Sequence, residues 1–289
     1  MESTLNGGFF FTWILHRVPL SPTNYLLEYE IMRYNESIND KNLFKAVFMA
    51  GGPGSGKSFV ANNMFGFNRS NISFSGAMLV NTDILFEIGL KKAGLPMIVD
   101  MSDEAMYERQ MEIRQRAIQL TETRESYWIN SMLPLIIDGT GKDFEKIKRQ
   151  SDALRSYGYD TSMVFVNTTV ETALKRNQMR PRSLDPNMVR KMWEMVQANI
   201  GKFQEYFGPS NFIIIDSNVN YEKGTEASDN FEEFLYKTGN KLLNAPLKNR
   251  VGIANIKYLR EHGGKYLSDL AQEENNLPKD SWGRNNTLK

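Results

Sequence analysis

Eight consecutive residues, Gly51-Gly52-Pro53-Gly54-Ser55-Gly56-Lys57-Ser58, constrain what this chain can fold into more than any other segment. They satisfy the G-x-x-x-x-G-K-[S/T] pattern at every position, and that pattern has a mechanical content. Glycines admit left-handed backbone angles that other residues avoid, so the loop can curl with its N–H groups turned inward. A strand must deliver the chain to such a loop and a helix must leave it, adding the positive end of its dipole. Both neighbours are present: Ala46-Val47-Phe48-Met49-Ala50 reads as a strand, and Phe59-Val60-Ala61-Asn62-Asn63-Met64 continues as a helix. The loop is expected to cradle a nucleoside triphosphate, ATP, with Lys57 reaching the β- and γ-phosphates and the Ser58 hydroxyl joining the shell of a Mg²⁺ ion.

The rest of the middle of the chain alternates in the same way. Lys45–Ala50, Ala77–Val80, Leu133–Ile137, Thr161–Val166 and Phe212–Ile215 are short apolar runs ending in a small or polar residue. Strands buried on both faces look like this, and the segments between them are long enough for the crossover helices that parallel pairing needs. A three-layer α/β domain over residues 43–218 follows, flanked by extensions at 1–42 and 219–289. Two intervening stretches exceed a simple crossover. Residues 84–132 read as an inserted helical pair, with Ser102 predicted as N-cap and Asp103 and Glu104 in the first turn. After Asp185-Pro186, residues Met188, Val189, Met192, Trp193, Val196, Ile200, Phe203 and Phe207 recur at helical spacing and are expected to pack inward. Further helices are predicted at Ser228–Leu243 and Ile253–His262, and the end from Gln272 is polar.

Composition removes several chemistries. With 0 cysteines there is no disulfide framework, zinc–thiolate site or catalytic thiol, which suits a reducing, cytoplasmic setting. Two histidines, His16 and His262, lie outside the alternating core, so neither a histidine metal site nor a Ser-His-Asp triad is credible. The apolar run Phe9–Leu15 is too short to span a bilayer and no basic region precedes it, so no membrane association is expected. The net charge of +1 argues against broad binding of a polyanion. Residues 141–191 nevertheless carry eleven Lys or Arg against six Asp or Glu, a local surplus expected to surround the phosphates.

Three segments beyond the loop complete the pattern. Leu79-Val80-Asn81-Thr82-Asp83 is a strand running into an aspartate, which could be either an ordinary helix cap or a positioned base. Leu135-Ile136-Ile137-Asp138-Gly139-Thr140 ends another strand in an acid, readable as a plain Asp-Gly turn. Thr172-Ala173-Leu174-Lys175-Arg176-Asn177-Gln178-Met179-Arg180-Pro181-Arg182 concentrates guanidinium groups, whose planar forks suit phosphoryl oxygens. With these in place, residues 46–218 resemble P-loop kinases of the zeta-toxin and polynucleotide 5′-kinase type. The resemblance implies a P-loop NTPase of the kinase kind with a parallel five-stranded sheet, the helical insertion at 84–132 and a lid at 172–184. It further implies that Asp83 accepts the proton of the attacking hydroxyl and that Asp138 supports the metal. Thr140 would then face the substrate, while Arg176, Arg180 and Arg182 close over the triphosphate. Two positions after that threonine zeta toxins carry an arginine that grips a nucleotide-sugar phosphate; here the residue is Lys142, which can meet a phosphate only as a point charge.

The expected activity is transfer of the γ-phosphate of ATP to a hydroxyl acceptor. Three acceptors stand open: a nucleic-acid 5′-hydroxyl, with nucleic acid entering only as substrate; a nucleotide-sugar; or another small hydroxyl compound. The alternative is an ATP-hydrolysing switch or assembly module with no phosphorylated acceptor, which would tolerate Asp83→Asn.

Overall fold

The computed structural model describes residues 40–67, 71–99, 102–179, 183–219 and 221–262. The readings for residues 9–15, for the 1–39 part of the first extension and for the polar end from Gln272 fall outside them. Five strands form one parallel sheet: β1 (Lys45–Ala50), β2 (Met78–Val80), β3 (Leu135–Asp138), β4 (Asp160–Asn167) and β5 (Phe212–Asp216). Their spatial order is β2-β3-β1-β4-β5. Each predicted strand is present, with ends displaced by at most two residues. β1 is central, hydrogen-bonded to β3 on one side and β4 on the other, and all six of its residues are buried.

The strand period of two sorts its side chains between the faces. Phe48 meets Phe207 with ring centroids 5.8 Å apart. Val47 and Met49 join the opposite cluster with Val60, Met64, Leu235 and Leu243. Full burial of each such side chain contributes about 1.5–3 kcal/mol, and coverage of both faces is why the run shows no polar alternation. Helices α1 (Lys57–Phe65) and α8 (Glu226–Leu243) cover one face. Helices α4 (Phe144–Ser156) and α7 (Ile200–Phe207) cover the other, Phe144 and Phe203 touching at 5.3 Å.

The last described helices are built into this packing. Gly239 of α8 lies so near Met64 of α1 that a Cβ there would strike the Met64 carbonyl, so the two helices cross on a glycine. Before α9 (Arg250–His262), the Asp160 carboxylate accepts from the N–H groups of Lys248 and Asn249, each at 2.9 Å, and from Lys45 Nζ at 2.8 Å. Lys45 is only 3% exposed, and this ion pair is what makes a lysine tolerable at the first position of a buried strand.

The helical insertion consists of α2 (Thr82–Lys92) and α3 (Glu104–Asn130), the latter about 40 Å long at the usual helical rise. They share a small core of Phe86, Leu90 and Ala117 with Ile113 and Leu95 packed around it. The cap of α3 is Asp103 rather than the predicted Ser102. Asp103 Oδ1 accepts from Met106 N–H at 3.0 Å, the spacing an N-cap requires, while Ser102 stands one residue too early. The stripe after Pro186 is helical as expected but not all of it packs inward. It is divided between α6 (Pro186–Gln197) and α7, because the buried Asn199 turns the chain by donating to the carbonyls of Gly141 and Lys142, both at 3.0 Å. Val189 and Val196 face inward, whereas Met188, one position round from Val189, is 46% exposed. Among the described residues no helix is long and apolar enough to cross a membrane.

Candidate active site

In a parallel sheet all strands end at the same edge, and the groups carried there share a crevice. The register makes this concrete. Met49 lies beside Asp138, and Val80 lies beside Ile137, so the next residue after Val80, Asn81, falls beside Asp138. The loop Gly51–Ser58 leaves β1 at this same edge. Gly51 N–H donates to the Thr140 carbonyl at 3.1 Å, tying the phosphate loop to the segment that follows β3. Gly54 and Gly56 have φ of 78° and 85°, the left-handed region the motif anticipates. Close approach adds a second demand, since a Cβ on Gly54 would overlap the Ala173 carbonyl and one on Gly56 would lie 2.9 Å from Ser217 Oγ. Pro53 and Gly52 complete the turn, with Ser55 N–H bonded to the Gly52 carbonyl at 3.1 Å.

Lys57 opens α1, and its Nζ donates to the Gly51 carbonyl at 2.7 Å, so the ammonium bends back over the loop. Ser58 is exposed at the second position of the same helix. Ser55 Oγ is buried and has no hydrogen-bond partner among the described residues.

Asp83 stands at the second position of α2 and is exposed. The helix cap is Asn81, whose Oδ1 accepts from Asp83 N–H at 2.8 Å, so the Asp83 carboxylate is released from the capping role that its position suggested. Asp138 is likewise no turn-former. Its Oδ2 accepts from Asn81 Nδ2 at 2.8 Å, while its Oδ1 is buried with no hydrogen-bond partner among the described residues. Burial pushes the Asp138 carboxyl above its ordinary range; Lys57 opposes this by attraction and Asp83 adds to it by repulsion. Lys57 and Asp83 thus both bear on the charge of Asp138.

The segment at 172–182 is helical in its first part. α5 (Val170–Gln178) is capped by Thr169, and its Ala173 backbone lies against Gly54. Arg176 reaches the loop, Nη1 donating to Ser217 Oγ at 3.1 Å and approaching the Ser55 carbonyl at 3.5 Å. Burial lowers the proton affinity of this guanidinium, which nonetheless remains charged. Asn177, 1% exposed, exchanges two hydrogen bonds with the Leu184 backbone at 2.8 and 3.1 Å, tying the end of α5 to the residues before Pro186. Arg180 and Arg182 lie outside the described residues. Thr140 is half-buried beside the phosphate loop, and Lys142 is exposed two residues further along the rim.

The structure thus brings Lys57, Asp83, Asp138 and Arg176 around one loop. It does not bring the whole basic surplus of residues 141–191 there. Arg155 donates to Thr161 and stacks 4.6 Å from the Tyr206 ring, at the end of β4 remote from the loop, and Lys148 pairs with Asp152 on the surface. Composition counted these charges without their place along the strands. Asn81, Asn177 and Ser217 were not anticipated as site residues. A signal existed for Asn81 alone: asparagine two residues before Asp83, between a strand and a helix, is a strong cap.

A family model described as zeta toxin matches residues 32–218, well over half of the chain. Among solved structures, a chain of the Pnkp1/Rnl/Hen1 RNA repair complex is 18% identical with a TM-score of 0.43; the match covers 64% of this chain and 54% of that one. The chain thus spans about half the length of that relative. A chain of the AvrRxo1-ORF1:AvrRxo1-ORF2 complex with sulphate ions is 11% identical over 81% of this chain and 78% of that one, with a TM-score of 0.48. The PezAT chromosomal toxin–antitoxin system of Streptococcus pneumoniae gives 15% identity, coverage of 78% and 97%, and a TM-score of 0.40. At such identities the likeness concerns the fold alone. No curated protein matches the chain.

Proposed function

The chain belongs to the zeta toxin family of P-loop kinases, phosphotransferases that bind ATP, and from that premise we propose how its own residues divide the work of the transfer. The acceptor hydroxyl gives its proton to the Asp83 carboxylate as its oxygen bonds to the γ-phosphorus. The bond from that phosphorus to the β-bridging oxygen breaks, and ADP departs. Lys57 and the phosphate loop Gly51–Ser58 hold the triphosphate. Arg176 stabilises the charge that builds on the transferring group, with Arg180 and Arg182 assigned to the same task. Thr140 and Lys142, on the rim after β3, are assigned to the acceptor.

Mg²⁺ fits the residues present. Ser58 offers an exposed hydroxyl at the helix start, and Asp138 offers a buried oxygen that nothing else described satisfies, a combination suited to a hard cation and its waters. No three His, Cys, Asp or Glu side chains gather into a metal cage among the described residues, so most of the ligands would be triphosphate oxygens and water. When bound, the ion would neutralise charge on the β- and γ-oxygens.

The observation that carries this reading is that Asn81 caps α2 and holds Asp138 Oδ2, which leaves the Asp83 carboxylate free of capping at the strand edge from which the phosphate loop also leaves. The decisive experiment incubates the protein and Mg²⁺ with γ-labelled ATP and separate pools of oligonucleotides, nucleotide-sugars and small-molecule extract. Label is expected in one pool, which names the acceptor class; label found only in free phosphate would overturn the transfer reading in favour of a hydrolytic switch. Arg176 gives a narrower test. Arg176→Ala should lower turnover by about 10²-fold or more while ADP affinity changes little, because its charge is needed most where charge develops. Equal losses in both quantities would reduce Arg176 to a ground-state contact.

A further inference from the structure

Asn81 links the Asp138 carboxylate to the backbone of Asp83, and both ends of its amide are committed. Its oxygen accepts from Asp83 N–H at 2.8 Å and its nitrogen donates to Asp138 Oδ2 at 2.8 Å. The amide can be oriented in only one way, since an N–H can only donate and an ionised carboxylate can only accept. The arrangement is built from long range as well as from the local turn. Val80 and Ile137 are paired across β2 and β3, which carries Asn81 to the side of Asp138, and the extended backbone of Asn81, φ −146° and ψ 113°, is that of an N-cap.

No other short side chain meets both demands. Aspartate would still cap α2 but would set a second carboxylate against Asp138. Serine would cap with its oxygen, but its hydroxyl ends one bond short of the amide nitrogen that donates to Asp138 Oδ2. Alanine would do neither. The contact also has a chemical consequence: with Oδ2 held by Asn81, Oδ1 is the oxygen of Asp138 that no described group satisfies. We infer that Asn81 is a positioning residue for the transfer, coupling the first turn that carries Asp83 to the rotamer of Asp138, so that base and metal-supporting acid are set by one side chain. The inference rests on the roles given to Asp83 and Asp138 above.

Asn81→Ser in the full chain tests it, with Asn81→Ala, Asp83→Asn and Asp138→Asn measured in parallel. Three quantities are read: the melting temperature without ligand, the thermal stabilisation by ADP with and without MgCl₂, and ADP production from ATP. Serine retains the cap, so the melting temperature and the stabilisation by ADP alone should stay near wild type. The extra stabilisation from MgCl₂ should shrink, and kcat should fall by about ten- to a hundredfold with little change in KM for ATP, the range seen when a partner of a metal-supporting group is removed. Alanine should add a drop in melting temperature. A serine variant with wild-type kcat and an intact MgCl₂ increment overturns the inference, as does one whose losses follow its melting temperature alone. If Asp83→Asn and Asp138→Asn leave turnover unchanged, the assignment of the carboxylates fails and this inference falls with it. If they are inactive while Asn81→Ser is unaffected, only the role of Asn81 is refuted.

Discussion

Lys57→Ala should leave a folded protein whose phosphoryl transfer is reduced by about 10²–10³-fold or more, the range for removing a fixed electrostatic group from the reacting centre. The argument begins with where the ammonium already is. Lys57 Nζ is held at 2.7 Å from the Gly51 carbonyl, bent back over the loop, so the charge is positioned before any nucleotide arrives. A preplaced charge needs no reorganisation as negative charge shifts along the triphosphate, and this is where its rate advantage originates. The same bond gives the substitution a modest structural cost, about 0.5–1.5 kcal/mol for a hydrogen bond of this type. Stability and turnover should therefore separate: a small fall in melting temperature with a loss of activity far beyond it. Undiminished ADP production by the alanine variant would remove Lys57 from the chemistry.

Asp83→Asn is the second large effect, and it should separate binding from transfer. Asparagine is nearly the same size and leaves the Asp83 N–H bonded to Asn81, so α2 keeps its cap and stability should change by no more than about 0.5 kcal/mol, as for an ordinary surface substitution. ADP affinity should be close to wild type. Turnover should fall by about 10²–10⁴-fold, the usual worth of a positioned acid or base. A neutral amide also removes the repulsion that Asp83 exerts on Asp138, so the Asp138 carboxyl should ionise more readily in the variant. Transfer at the wild-type rate would return the proton to water or to another group and sink the base assignment.

Legibility from sequence differed by feature for identifiable reasons. The phosphate loop was readable because its requirement is local: positive φ at Gly54 and Gly56 is a property of glycine itself. The strands were readable because burial on both faces leaves an uninterrupted apolar run, and β1 keeps its predicted ends at Lys45 and Ala50. The cap of α3 was misplaced by one residue because Ser102 and Asp103 are both good caps and only the hydrogen bond to Met106 chooses between them. The break in the helical stripe after Pro186 was not legible because a buried asparagine tethered to the carbonyls of Gly141 and Lys142, fifty-eight and fifty-seven positions earlier, has no signature in its own neighbourhood.

By itself, then, the sequence determined the phosphate loop and the run of buried parallel strands, since each depends on backbone preferences or patterning within a few residues, while roles for the candidate acids and arginines came from the resemblance to a kinase family. Which of these groups meet was decided by the tertiary structure. Parallel register placed Asn81 against Asp138 and freed Asp83 from capping. Packing of α5 on the loop brought Arg176 to Ser55 and Ser217, and the far end of β4 took Arg155 away from the site. For the contacts of Asn81 with Asp138 and of Arg176 with Ser55 and Ser217 the physical reason is the same: a hydrogen bond depends on distance in space, and for partners 41 to 121 residues apart that distance is set by the sheet.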